Sequence, residues 1–235
     1  PPKVLGQVPS DYTAAREPNP VGSYRTVFTV PKDWDGREVF IHFDGVASAF
    51  YLWINGQKVG YSEDSRTPAE FDITKFLRIG SNVLAAEVYR WCDGSYLEDQ
   101  DYWRLSGIFR DVYLFSTPRV QLRDLFVLSD LDNEYKDARL DVTARVRNLS
   151  TTSAQRLIYA TLVDAAGRKT PLGQSEPATV EPGQEVQLKI GSDVSNPLKW
   201  TAETPNLYTV VVELRDTAEE ITEVKACRFG FRKVE

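Results

Sequence analysis

Residues 50–61 read Phe-Tyr-Leu-Trp-Ile-Asn-Gly-Gln-Lys-Val-Gly-Tyr, and this stretch decides the fold class. Two runs rich in aromatic and β-branched residues flank the dipeptide Asn55-Gly56. A type I′ hairpin turn needs a positive φ at both central residues, which Asn and Gly tolerate best. The sequence therefore predicts two antiparallel strands joined by a two-residue turn.

Short runs of the same composition continue on both sides of this hairpin, interrupted about every 8–12 residues by Gly, Pro, Asn or Asp. Before Pro118 the predicted strands are Tyr24–Val30, Glu38–Phe43, Ala49–Ile54, Val83–Arg90 and Asp111–Phe115. After it they are Val120–Leu128, Arg139–Arg147, Arg156–Val163, Glu185–Ile190, Leu207–Leu214 and Ile221–Phe229. Helical periodicity is nearly absent, so the chain is predicted to be all-β.

The second half has the pattern of a β-sandwich with one face towards a core. Leu140, Val142, Ala144 and Val146 alternate with polar residues, as expected for a strand with one buried face. About seven strands in about 115 residues are typical of an immunoglobulin-like sandwich. The segment 116–119 is the natural boundary, which predicts two β-sandwiches in tandem.

Charge and hydropathy exclude several classes of function. The chain has 235 residues and a net charge of -6, from 28 basic and 34 acidic residues, and its basic residues are scattered. This distribution argues against nucleic acid as a partner. No run approaches the roughly 18–20 apolar residues of a membrane span, and no signal pattern follows Pro1, so a cytoplasmic and a periplasmic location both stay open. A chain that begins Pro-Pro and contains no Met is expected to belong to a longer protein.

The chain has few residues for nucleophilic or metal–thiolate chemistry. Cys92 and Cys227 are too few for a disulfide framework or a thiolate metal site, although a single disulfide stays open. The only histidine, His42, alternates with the apolar residues Ile41 and Phe43, so it is interpreted as a structural strand residue. A Ser-His-Asp or Cys-His mechanism would depend on this one imidazole.

Residues 91–107 do not alternate, and seventeen residues are long for a connection within a sandwich. The segment contains the carboxylates Asp93, Glu98, Asp99 and Asp101 and the aromatic residues Trp91, Tyr96, Tyr102 and Trp103. Aromatic faces beside hydrogen-bond acceptors suit sugars; the alternative is a solvated loop whose rings close the end of the sandwich. Asp99 and Asp101 offer oxygen ligands for a hard cation, although the spacing matches no EF-hand.

Hydrolysis of a glycosidic bond by this chain alone is not expected. A retaining glycosidase needs two carboxyl groups about 5–5.5 Å apart on opposite sides of the sugar, and neighbours in one loop cannot easily flank it. The pair Asn133-Glu134 lies in a polar turn between two predicted strands, so it is not expected to be catalytic either.

Several blocks of the sequence resemble, in order, the amino-terminal part of the large bacterial β-galactosidases of glycoside hydrolase family 2. In the first half they are Asp44–Phe50, Leu52–Gly56, Val59–Tyr61, Ser65-Arg66, Asp93–Asp101, Trp103-Arg104 and Ser106–Val112. In the second half they are Asn196–Trp200 and Pro205–Tyr208. The resemblance covers Asn19 to the carboxyl terminus.

This resemblance implies a jelly-roll sugar-binding domain at residues 1–118 and an immunoglobulin-like domain at residues 119–235. The family continues with a (β/α)8 barrel that carries the acid and nucleophile glutamates, which have no counterpart here. The chain is thus expected to be the non-catalytic amino-terminal portion of an enzyme that hydrolyses terminal β-D-galactosides with retention, acting with its own barrel in a homo-oligomer. A family asparagine that reaches the active site lies upstream of Pro1.

The resemblance also implies roles for individual residues. Asp101 matches the family aspartate that reaches into the barrel pocket, where it helps to hold sodium and the galactose hydroxyls. Asp93 matches a ligand of a peripheral magnesium site, although Glu63 stands here in place of an amide. Trp103 and Arg104 match as a packing residue and a salt-bridge partner.

Three alternatives stay open at this point. The chain is expected to act as a free-standing carbohydrate-binding module if it binds galactose without a barrel. Aromatic residues exposed along one face would favour this, but the aromatic residues here are expected mostly to alternate inward, which counts against it. A structural spacer is expected if no sugar has any effect. A β-glucuronidase or β-mannosidase barrel would share the architecture, but the Asp99-Gln100-Asp101 block resembles the galactosidases more closely.

Overall fold

The structure is a computed structural model that describes residues 19–98, 103 and 105–233. The chain forms two compact units that divide between Ser116 and Thr117. Within the described residues almost all regular structure is strand, with short 3₁₀ turns at Lys32–Trp34, Thr74–Phe76 and Asp93–Tyr96. No helix of this described part is long and apolar enough to span a bilayer. The predicted all-β class, a jelly roll followed by an immunoglobulin-like sandwich, is confirmed.

The first unit is built from two main sheets. Its strands are β1 (Val21–Thr29), β2 (Glu38–Phe43), β3 (Val46–Ala47), β4 (Ala49–Ile54), β5 (Gln57–Glu63), β6 (Ala69–Asp72), β7 (Ser81–Tyr89), β8 (Gly107–Ile108) and β9 (Val112–Thr117). One sheet has the order β1-β7-β4-β5 and the other has the order β6-β2-β9, while β3 pairs with β8. Both Glu38–Phe43 and Ala49–Ile54 begin and end at the predicted residues.

The predicted hairpin is present between β4 and β5. Asn55 has φ 52° and Gly56 has φ 81°, which are the two positive values that a type I′ turn requires. The strands pair from Ile54 with Gln57 to Ala49 with Glu63, with one irregularity in the register.

The two main sheets of the first unit enclose a common apolar core. Phe43 from β2 packs on Phe50 from β4 with ring centroids 4.7 Å apart, and Phe71 from β6 meets Phe50 edge to face at 5.8 Å. Aromatic pairs in such geometry contribute about 0.5–1.5 kcal/mol beyond the area they bury. The sandwich is therefore closed by rings from strands of both sheets.

The second unit is also a sandwich of two sheets. Its strands are β10 (Val120–Leu131), β11 (Ala138–Asn148), β12 (Ala154–Val163), β13 (Lys169–Gln174), β14 (Ala178–Val180), β15 (Glu185–Val194), β16 (Tyr208–Arg215) and β17 (Ile221–Phe229). One sheet has the order β10-β11-β15; the other has the order β13-β12-β16-β17, with β14 pairing on β12. The predicted alternation in β11 is confirmed, because Leu140, Val142, Ala144 and Val146 are all buried.

Two strands of the second unit were not predicted from the sequence. Strand β13 contains Pro171 and Gly173, residues that weaken a strand prediction because Pro cannot donate a ladder hydrogen bond and Gly has no side chain to pack. The structure tolerates both because β13 is the edge of its sheet, with a register irregularity opposite them. Strand β14 is only three residues long.

Candidate functional site

The long segment that follows β7 begins with a hydrogen-bonded 3₁₀ turn. The backbone N–H of Cys92 donates to Oγ of Ser95 at 3.0 Å, and Sγ of Cys92 faces the turn as its cap. The backbone N–H groups of Leu97 and Glu98 both donate to the carbonyl of Gly94, at 2.9 and 3.0 Å. The backbone is thus well anchored up to Glu98.

The carboxylate of Glu98 is held by a residue from another part of the unit. Its Oε1 accepts from the backbone N–H of Ser65 at 2.9 Å, and its Oε2 accepts from the Ser65 hydroxyl at 2.6 Å. Ser65 is only 6% exposed. Hydrogen bonds to an ionised acceptor are about twice as strong as neutral ones, so this pair is a firm attachment point.

Ser65 lies in a turn whose shape is fixed by Asp64. The carboxylate of Asp64 accepts from the backbone N–H groups of Arg66 at 3.0 Å and Thr67 at 3.3 Å, and Asp64 itself has φ 90°. Hydrogen bonds from Arg66 and Thr67 lower the pKa of Asp64 below its ordinary value. The turn 64–67 therefore presents both donors of Ser65 in one direction.

The chain after the segment is anchored beside the same turn. Strand β8 pairs with β3, and the backbone N–H of Phe109 donates to the carbonyl of Gly45 at 3.3 Å. The guanidinium of Arg110 donates to the carbonyls of Asp44 and Arg66, both at 3.4 Å. The turn 64–67 therefore contacts both Glu98 within the long segment and Arg110 just after it.

A pocket opens in this part of the first unit, and Glu98 is among the residues that line it. It encloses about 390 Å³, counting the space open to solvent, and its lining includes Ser48, Arg66, Arg90, Trp91 and Glu98. Two guanidinium groups and one carboxylate give it a polar, charged wall. Its lining contains no pair of carboxylates suited to glycosidic hydrolysis.

The predicted sugar- and sodium-binding residue, Asp101, lies outside the described residues, as do Asp99, Gln100, Tyr102 and Arg104. Its role therefore stays a prediction.

The packing role expected for Trp103 is not fulfilled within the described residues. Trp103 is 86% exposed, and the neighbouring apolar residues Leu97 and Leu105 are 71% and 70% exposed. These three side chains are close in sequence and all exposed, so none of them packs into the core of the first unit. The alternative in which the aromatic rings of this segment close the end of the sandwich therefore does not hold for Trp103.

The structure brings Asp93 together with Glu63 and Cys92. One ligand atom from each of these three residues lies within 4.8 Å of the others. The Tyr61 hydroxyl donates to Oε2 of Glu63 at 2.8 Å. Burial, this hydrogen bond and the negative charge of Glu63, in that order, raise the pKa of Tyr61 well above its ordinary value.

The donor set fits magnesium only through its two carboxylates. Magnesium prefers oxygen ligands, whereas thiol sulfur suits softer ions. Sγ of Cys92 lies 3.7 Å from Oγ of Ser95, so it already has a partner in the 3₁₀ turn. The sequence pointed to Asp93 and Glu63, but it did not indicate that Cys92 lies beside them.

His42 occupies a structural position on strand β2. Its Nε2 lies 3.0 Å from Oδ1 of Asp44, and its ring stacks on Tyr113 at 4.8 Å. Both Ile41 and Phe43 point into the core on the opposite face. The interpretation of His42 as a strand residue that supports the sheet is confirmed by these contacts.

Two family models match the chain almost end to end. The model described as the sugar binding domain of glycosyl hydrolases family 2 matches residues 3–118, and the model described as glycosyl hydrolases family 2 matches residues 120–232. A β-galactosidase of Priestia megaterium is 48% identical over 217 residues, which are 92% of this chain and 21% of that protein. A β-galactosidase of Pseudoalteromonas haloplanktis is 45% identical over 236 residues, covering 97% of this chain and 21% of that protein.

Solved structures show the same arrangement of strands. A β-glucuronidase of Bacteroides uniformis superposes with a TM-score of 0.81 at 26% identity, over 92% of this chain and 27% of that one. The chain spans about a fifth of the length of the curated relatives it matches.

Proposed function

Since the chain belongs to glycoside hydrolase family 2, we propose that it forms the non-catalytic amino-terminal portion of a retaining β-galactosidase. In this proposal the acid and the nucleophile come from a (β/α)8 barrel outside these residues, and the substrate is a terminal β-D-galactoside. The names of the relatives support the galactoside class, because several β-galactosidases are more than 40% identical over nearly the whole chain.

The observation that carries the proposal is the contrast within the segment after β7. Glu98 within the segment and Arg110 just after it are hydrogen-bonded to the turn 64–67, while Leu97, Trp103 and Leu105 expose their apolar side chains. Exposed apolar side chains close to such anchor points are suited to packing against another domain. We assign that surface to the barrel.

Asp101 lies within this segment, and we propose that it contributes to the active site of the full enzyme. It would supply a carboxylate oxygen to sodium and accept hydroxyl groups of the galactose ring. Carboxylate oxygens are suitable ligands for a hard cation, and aromatic neighbours suit the C–H face of a sugar.

Magnesium is proposed at a second place, between Asp93 and Glu63. Their carboxylates would supply oxygen ligands, with Cys92 left in its role as the cap of the 3₁₀ turn. This site would stabilise the start of the segment rather than take part in the reaction.

The experiment is the Asp101→Asn substitution in the full-length enzyme. Because a neutral amide oxygen binds sodium more weakly than a carboxylate oxygen does, kcat/KM for a β-galactoside should fall by about tenfold or more. A nuclear magnetic resonance time course should show the β-anomer of galactose as the first product. Wild-type kinetics in Asp101→Asn would remove this residue from the site, and an α-anomer product would contradict retention.

A carbohydrate-binding module is the second candidate, and one observation favours it. Tyr51, Trp53, Tyr61 and Tyr89 form a continuous aromatic group on the outer face of the sheet β1-β7-β4-β5, with ring centroids 4.8–6.0 Å apart. The sequence-based expectation that the aromatic residues mostly face inward is therefore wrong for this sheet. Calorimetric titration of the 235-residue chain with galactose distinguishes the two, because a module binds without a barrel.

A further inference from the structure

We propose that Tyr61 is a positioning residue for magnesium, because its hydroxyl holds the carboxylate of Glu63 where it can share the ion with Asp93. The inference rests on the magnesium site proposed above and adds a residue that does not itself bind the ion. Strand β5 carries both Tyr61 and Glu63. They are two positions apart, so their side chains lie on the same face of the sheet.

The carboxylate of Glu63 is oriented by a hydrogen bond from its own strand. The Tyr61 hydroxyl donates to Oε2 of Glu63 at 2.8 Å, and within the described residues this carboxylate has no other donor. A glutamate side chain loses much conformational freedom when it is ordered. The hydrogen bond removes part of that freedom before magnesium binds, and it leaves Oε1 available to the ion.

Asp93 is positioned by its backbone instead. It begins the 3₁₀ turn Asp93–Tyr96, in which the Ser95 N–H donates to the Cys92 carbonyl at 3.1 Å. Ligand atoms of Asp93 and Glu63 lie within 4.8 Å of each other, and no cation of the described part pairs with either carboxylate. Two like charges at this distance repel each other, so a free Glu63 side chain would turn away. The hydrogen bond from Tyr61 opposes that movement.

The ring of Tyr61 is itself held by packing on the sheet. Tyr61 pairs with Tyr51 on the neighbouring strand, and the two ring centroids are 4.8 Å apart. The Tyr51 ring is in turn covered by Lys58, whose Nζ lies 4.0 Å from its centroid. Cross-strand pairs of this kind fix side-chain direction. Partners that orient a metal ligand typically change metal affinity by about 10–100-fold, so the Tyr61 hydroxyl should have a measurable effect.

The test is calorimetric titration of the chelator-treated 235-residue chain with magnesium chloride. Tyr61→Phe removes the hydroxyl and keeps the ring. It should raise the Kd for magnesium by about tenfold, at the lower end of that range because Tyr61 and Glu63 are exposed to water. The melting temperature without metal should stay within about 2 °C of the wild type, because the packing of the ring is retained.

Tyr89→Phe is the matched control. Tyr89 belongs to the same aromatic group, and its hydroxyl donates to Oε1 of Glu87 at 2.6 Å. Glu87 is not part of the cluster formed by Glu63, Cys92 and Asp93. Loss of this second hydroxyl should therefore leave the Kd for magnesium within about twofold of the wild type. An equal rise of Kd in Tyr61→Phe and Tyr89→Phe would reveal a general effect of this face and would overturn the inference.

A spectroscopic measurement shows whether the ion acts on Tyr61. Magnesium should change the near-ultraviolet tyrosine absorption of the wild type, because the ion withdraws negative charge from the carboxylate to which Tyr61 donates. The change should persist in Tyr89→Phe and disappear in Tyr61→Phe. If the full change remains in Tyr61→Phe, the Tyr61 hydroxyl does not respond to the ion and the positioning role is wrong.

Asp93→Asn separates this inference from the magnesium site on which it rests. If magnesium binds the wild type but not Asp93→Asn, while Tyr61→Phe keeps the wild-type Kd, the site stands and Tyr61 has no positioning role. If magnesium fails to bind the wild type, or binds Asp93→Asn equally well, the magnesium site is wrong and the inference is wrong with it. A rise of Kd and a lost spectral change in Tyr61→Phe, with neither in Tyr89→Phe, support both.

Discussion

The side chain of Asn55 donates from Nδ2 to Oδ1 of Asn82 at 2.8 Å, which ties the β4–β5 hairpin turn to the start of strand β7. Asn82 is fully buried, and its Nδ2 donates to the carbonyls of Arg78 and Gly80 at 3.0 and 3.1 Å. Its Oδ1 also accepts from the Arg78 N–H. Every polar atom of this buried amide is therefore satisfied within the unit.

Replacing Asn82 should destabilise the first unit. In Asn82→Ala the Asn55 amide and the backbone groups of Arg78 lose a buried partner, so the free energy of unfolding should fall by about 2–4 kcal/mol. Urea denaturation of the 235-residue chain measures this. Asn133→Ala, at an exposed turn position, is the control and should change stability by less than about 0.5 kcal/mol. An equal effect of both substitutions would show that the buried network is not responsible.

The sequence is sufficient to predict those elements whose conformation is determined by their own residues. The Asn55-Gly56 turn was predictable because positive φ strongly favours these residues, and β2 because its alternating side chains report one buried face. Strand β13 could not be predicted because Pro171 and Gly173 are tolerated only at a sheet edge, and the sheet order is a tertiary property.

The candidate site shows the same limit. The loop motif drew attention to Asp93 and Asp101, but the contact of Glu98 with Ser65 joins residues 33 positions apart. No local pattern indicates such a pairing, although Asp64, placed before Ser65 and Arg66, is a turn signal that could have drawn attention to it. The exposure of Trp103 could not be predicted from the sequence either. The composition of a segment does not distinguish an aromatic residue that packs inside a domain from one that faces a partner.

Asp132 should make the second unit sensitive to acid. Its carboxylate accepts from the backbone N–H groups of Glu134, Lys136 and Asp137 at 2.8–3.1 Å, and the Asp137 and Lys136 bonds lower its pKa most. A pKa lowered in the folded state stabilises the fold above the unfolded value of about 4, and this contribution is lost as the pH falls through the folded value.

Asp132→Asn should therefore lower stability at pH 7 and have a shrinking effect below about pH 4. The amide has one acceptor oxygen, so it cannot receive all three N–H groups. Denaturant titrations at pH 7, 5 and 3 measure the difference between variant and wild type. A difference that is constant across this range would contradict the electrostatic origin.

Trp103 should matter for catalysis in the full enzyme without stabilising the isolated chain. Its ring is largely exposed here, and in the proposed function it packs against the barrel. Trp103→Ala should leave the melting temperature of the 235-residue chain within about 1 °C, because truncating an exposed side chain changes stability little. In the full-length enzyme it should lower kcat/KM, as measured by steady-state kinetics on a β-galactoside. Ile79→Ala, which truncates another fully exposed apolar residue, should affect neither.

Magnesium should stabilise the chain through Asp93 and Glu63. After treatment with a chelator, adding magnesium to the 235-residue chain should raise its melting temperature by a few degrees, because an ion that binds only the folded state shifts the unfolding equilibrium. Asp93→Asn should abolish the shift, and Glu63→Gln should weaken it, because an amide oxygen is a neutral ligand. Glu134→Gln, which removes an exposed carboxylate in the second unit, is the control for nonspecific ionic effects and should leave the shift intact.

Cys92→Ser distinguishes the ligands of this site. If the thiol only caps the 3₁₀ turn, a serine hydroxyl can take over that cap and the magnesium shift should be unchanged. Loss of the shift in Cys92→Ser would make the sulfur a ligand and point to a softer ion than magnesium. Zinc added in place of magnesium would then give the larger shift in the wild type, and the assignment of magnesium to Asp93 would be wrong.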